Sequence, residues 1–73
     1  MMRIFNDAQD QRWQAAVVFG SYGEVRLVFS RMDADDLRTA AMPAATLREA
    51  EQSLSVLNEE ELRDYLDKAE AQS

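Results

Sequence analysis

Between Trp13 and Phe29 the chain reads WQAAVVFGSYGEVRLVF, two apolar runs of period two around a pair of glycines. Successive side chains of a strand point to opposite faces, so this alternation marks half-buried strands rather than a helix. Trp13, Ala15, Val17 and Phe19 alternate along the first run. Val25, Leu27 and Phe29 alternate with Glu24, Arg26, Val28 and Ser30 along the second. Both runs are rich in β-branched and aromatic residues. Pairing Phe19 with Val25, Val17 with Leu27 and Ala15 with Phe29 gathers the apolar residues on one face. A slip of one residue sets Phe19 beside Glu24 and Val17 beside Arg26, and that face is lost. This register makes Gly20 and Glu24 the closing pair and leaves Ser21-Tyr22-Gly23 as a three-residue loop. Such a loop takes a glycine in the left-handed conformation at its last position. Gly20 and Gly23 are therefore structural turn residues.

The same stretch does not have the form of a ligand loop. Its spacing is neither a Walker phosphate loop nor the dinucleotide pattern G-x-G-x-x-G, and no helix follows it. It also departs from G-x-S-x-G, and a chain without histidine offers Ser21 no imidazole base.

An earlier strand over about residues 3–6 pairs with the start of the Trp13 strand across the polar loop Asp7 to Gln11. Either Ile4 or Phe5 can face the core. The remaining strands are read at about 12–20, 24–30 and, after the loop Arg31 to Asp36, 37–42; Pro43 stops the last one. Two helices follow, over about 47–57 and 59–71. Thr46-Leu47-Arg48-Glu49 and Asn58-Glu59-Glu60-Glu61 both have the capping-box form. Leu47, Ala50, Leu54 and Leu57 form one apolar stripe, and Leu62, Tyr65, Leu66 and Ala69 form the other. The expected fold is α+β in one domain spanning residues 1–73. It is an antiparallel meander of three to four strands, followed by two amphipathic helices packed on one face.

Trp13, Gly20-Ser21-Tyr22-Gly23, Leu27-Val28-Phe29, Leu47-Arg48-Glu49-Ala50-Glu51 and Glu61-Leu62-Arg63 recur in that sequence, and the chain resembles a group of short bacterial proteins without an assigned activity. The resemblance covers nearly the whole chain and implies no cofactor or catalytic residue.

Composition narrows the chemistry. With 73 residues and no cysteine, stability must come from one apolar core rather than from disulfides or thiolate metal sites. The net charge is −6, and the acidic residues concentrate after residue 45. Phosphate backbones require clustered Lys and Arg, so this balance disfavours nucleic acid. The longest apolar stretch, Ala15 to Phe19, is too short for a membrane span, and the amino terminus lacks the apolar core of a signal peptide. The expectation is a cytoplasmic chain.

No catalytic, metal or cofactor site is read from the residues. Asp33-Ala34-Asp35-Asp36 begins like a calcium loop, but Leu37, Arg38 and Ala44 then stand where a ligand, a glycine and a bidentate glutamate are required. Interaction is the function that remains, through the sheet face opposite the helices, with Ala16, Val18, Arg26 and Val28 as its candidate residues. The occupant is expected to be a protein partner or a second copy of the chain. Two alternatives stand beside this reading. One is a nucleic-acid-binding accessory protein that uses the sheet, favoured if Arg12, Arg26, Arg31 and Arg38 cluster in space. The other is a small carboxylate enzyme, which needs a pocket of perturbed acids.

Overall fold

The computed structural model describes residues 2–20 and 23–71, so Ser21 and Tyr22 of the hairpin loop lie outside the described residues. The chain forms an α+β fold. Strands β1 (Met2–Asn6), β2 (Arg12–Phe19), β3 (Val25–Arg31) and β4 (Leu37–Ala41) make an antiparallel meander, followed by helices α1 (Leu47–Val56) and α2 (Glu59–Lys68). No helix among the described residues is long and apolar enough to cross a membrane.

The central hairpin has the register that its pattern dictates. Phe19 pairs with Val25, Val17 with Leu27 and Ala15 with Phe29. The Gly20 N–H donates to the Glu24 carbonyl at 2.7 Å, which closes the hairpin. Gly23 has φ +80°, a left-handed conformation that only glycine takes without strain. At Gly20 a Cβ would collide with the Glu24 carboxylate.

One face of this sheet carries Phe5, Trp13, Ala15, Val25, Leu27 and Phe29 into the core, where they meet Ala50 and Leu54 of α1 and Leu62 and Leu66 of α2. Phe5 rather than Ile4 points inward. Its ring meets Phe29 edge to face, with centroids 5.8 Å apart. Two arginines tie β1 to the helices. Arg3 Nη1 donates to the Leu54 carbonyl at 2.8 Å, satisfying an end of α1 that has no basic residue in its last turn. Arg63 Nε of α2 donates to the Asn6 carbonyl at 2.8 Å.

Several expectations need correction. Phe19 keeps the core register but is 55% exposed. Its cross-strand partner Val25 is only 4% exposed, so the covering of this face ends between the two strands, on the β3 side of the hairpin end. Leu47 is exposed as well, at the start of the α1 stripe. Helix α2 stops at Lys68 instead of reaching residue 71, because Ala69 turns extended and Glu70–Ala71 form a short strand, β5, paired with Thr39 and Arg38. The edge of β4 offers those backbone groups a ladder, a non-local partner that helical periodicity cannot register. The capping box at Asn58 is complete. At Thr46 it is offset: Thr46 Oγ1 accepts from the Glu49 N–H, but the Glu49 carboxylate accepts from Ala45 N–H instead of the cap residue.

Candidate functional site

The face of the sheet turned away from the helices is built by the residues that alternate with the core set. Strand pairing arranges them in rows. Met2, Ala16, Val28 and Thr39 form one row across the four strands, and Ile4, Gln14, Ser30 and Leu37 form the next. Val18, Arg26 and Ala41 lie on the other side of the first row. The four residues expected on this face are therefore contiguous, with Ala16 opposite Val28 and Val18 opposite Arg26.

This face is largely apolar and mostly uncovered, except at Thr39 of β4, which is only 8% exposed. Met2, Ile4, Val18 and Leu37 are large hydrophobic side chains left between 40% (Val18) and 53% (Met2) exposed. Ala16 and Val28 are half-buried. A few polar groups punctuate the surface. Arg26 Nη2 donates to Thr39 Oγ1 at 3.1 Å, so this guanidinium lies along the sheet instead of projecting from it. Arg12 is exposed and engages no carboxylate among the described residues. At the opposite end of β2, the Glu24 carboxylate lies against Gly20.

The four arginines Arg12, Arg26, Arg31 and Arg38 do not gather. Arg12 and Arg26 alternate onto the open face. Arg31 and Arg38 share the other face with Trp13 and Phe29, their partners in the ladder. Arg31 pairs with Asp33 at 3.1 Å, and Arg38 pairs with Asp36 at 3.3 Å. The Arg38 guanidinium also lies 5.0 Å from the centre of the Trp13 ring, a cation–π contact. Two of the three aspartates of the calcium-like stretch, Asp33 and Asp36, thus serve as partners for strand arginines.

The most engaged carboxylate lies in the β1–β2 loop. Asp7 Oδ1 accepts from the N–H groups of Gln9 and Gln11, and Oδ2 accepts from Trp13 Nε1 at 2.8 Å. Burial opposes its ionisation, but these three donors and the charge of Arg31 outweigh it and hold the carboxyl below its usual range. That is the reverse of the raised acid that proton-transfer chemistry requires. A hollow of about 290 Å³ beside Asp7 is lined by Arg38, Arg63, Glu60, Asp64 and Asp67 among others. Both of its arginines are already committed, one to Asp36 and Trp13 and the other to the Asn6 carbonyl.

Reasoning from the sequence missed Met2, Ile4, Leu37 and Ala41 as members of the open face. The adjacent apolar residues Ile4 and Phe5 leave the parity of β1 undecided until its pairing with β2 is known. The chain matches no protein-family model, no curated protein and no solved structure.

Proposed function

We propose that this chain is a non-enzymatic protein-interaction or regulatory module, cytoplasmic in location, that works through the open face of its sheet. The observation that carries the reading is the cluster of exposed and half-buried apolar residues Met2, Ile4, Ala16, Val18, Val28 and Leu37, interrupted by Gln14, Ser30 and Arg26, on the face turned away from the helices. Exposed apolar surface concentrated in one place marks a contact site, whereas scattered single residues do not. The environment of Asp7 supports the non-catalytic part: backbone and indole donors hold its carboxyl below the usual range. The division of the arginines between the two faces supports a protein occupant over a nucleic acid.

The test compares wild type with a Val18→Glu, Val28→Lys double variant, both confirmed as folded by circular dichroism. Wild type is expected to self-associate in light scattering, or to retain a protein from cell extract that the variant fails to retain. Two folded monomers with the same bound proteins would refute the open-face reading.

A further inference from the structure

The geometry points to a second copy of this chain as the occupant of the open face, packed about a two-fold axis that crosses the strands along the Met2–Ala16–Val28–Thr39 row. This inference rests on the open-face reading and commits it to one arrangement.

A two-fold interface demands self-complementarity: whatever lies at one distance above the axis must fit what lies at the same distance below it. Ala16 is midway along β2 between Arg12 and Gly20, four residues from each. Rotation about the row through Ala16 therefore places Arg12 of one copy over Gly20 of the other. That is where the Glu24 carboxylate lies. Arg12 and Glu24 are both exposed, and neither has an ion-pair partner among the described residues. The symmetry makes the pair twice.

The same rotation sets Val28 on Val28, Ala16 on Ala16 and Met2 on Met2, and it places Leu37 over Ala41. Arg26 comes over Ser30 and Val18 over Gln14, so no cation meets a cation. Glu70 on β5 approaches its own copy, but it is exposed at the sheet margin, where solvent and salt screen the repulsion. Two sheets packed with their strands nearly aligned is a standard way to bury such faces.

The area agrees with a weak dimer. Strands of five, eight, seven and five residues, about 4.8 Å apart with a rise of about 3.3 Å per residue, present on the order of 400 Å² per copy. The total, roughly 800 Å², lies below the range of stable interfaces and within that of transient ones, so dissociation in the micromolar range or weaker is expected.

Charge exchange tests the arrangement. Arg12→Glu and Glu24→Arg should each weaken the dimer about tenfold in sedimentation equilibrium, because each sets like charges together twice. The double exchange should restore association to within about threefold of wild type. The second test uses a chain with no native cysteine. Val28→Cys lies on the axis and should oxidise to a covalent dimer faster than Val56→Cys on α1, although Val56 is the more exposed position at 78%. Single exchanges without effect, a double exchange that fails to rescue, or equal oxidation at both positions would overturn this dimer. If wild type is monomeric while Val18→Glu, Val28→Lys still abolishes capture of another protein, the open-face reading stands and the two-fold arrangement falls.

Discussion

Leu27 and Val28 are neighbours in sequence and lie on opposite faces of the same strand, yet Leu27 is wholly buried and Val28 is only half-buried. The two faces differ in what their residues can fill. The covered face carries Phe5, Trp13, Leu27 and Phe29, large side chains that interlock with Leu54 and Leu62 from the helices. At its centre the open face carries Ala16, Val18 and Val28, which are too small to reach a helix layer of their own. The open face also carries Gln14, Arg26, Ser30 and Thr39. Small central side chains and interspersed polar groups together separate it from the face that the chain covers itself.

The largest effect that can break this contrast comes from putting a charge on each side of it. Leu27→Asp should abolish cooperative folding, because an unpaired carboxyl in the core costs more than the margin of about 3–5 kcal/mol held by a domain of this size. Val28→Asp should remain folded, with a loss of about 1 kcal/mol. Circular dichroism and thermal melting of the two variants measure the difference directly. Equal losses would mean that both faces are structurally occupied.

A smaller effect sharpens the same comparison in the helix layer. Leu54→Ala removes a side chain with no exposed surface and should cost about 2–5 kcal/mol in urea unfolding. Val56→Ala, two residues away on the solvent side, should change stability by less than about 0.5 kcal/mol.

The smallest effect concerns how the edge of the covered face is pinned. Asp7 holds the Trp13 indole, and its carboxyl is more acidic folded than unfolded. Its contribution is present above the ordinary carboxylate value of about 4. As pH falls through the lowered native value, that contribution is lost. Asp7→Asn should thus cost about 1 kcal/mol at pH 7, and the gap from wild type should narrow in acid. Denaturant midpoints measured at neutral and acidic pH would show it; a gap that stayed constant would remove Asp7 as an ionised anchor.

The hairpin register, the turn glycines and the helix starts follow from local patterns along the chain. Each rests on local information: alternation pairs Val17 with Leu27, a loop of fixed length demands a left-handed residue at Gly23, and Asn58 caps with Glu61 three residues on. The sequence also marked Ala16, Val18, Arg26 and Val28 as one face, since period two alone groups them. What only the tertiary structure decided is non-local. The parity of β1 follows from its pairing with β2, and with it the place of Met2 and Ile4 on the open face. The end of α2 follows from the free edge of β4, and the exposure of Phe19 from the reach of the helix layer. Arg3, Arg38 and Arg63 read as ordinary charges in the sequence, but bind a helix end, an indole ring and a strand carbonyl from segments far along the chain. Periodicity reports which side a residue takes within its own element. What waits on that side is set by packing between elements.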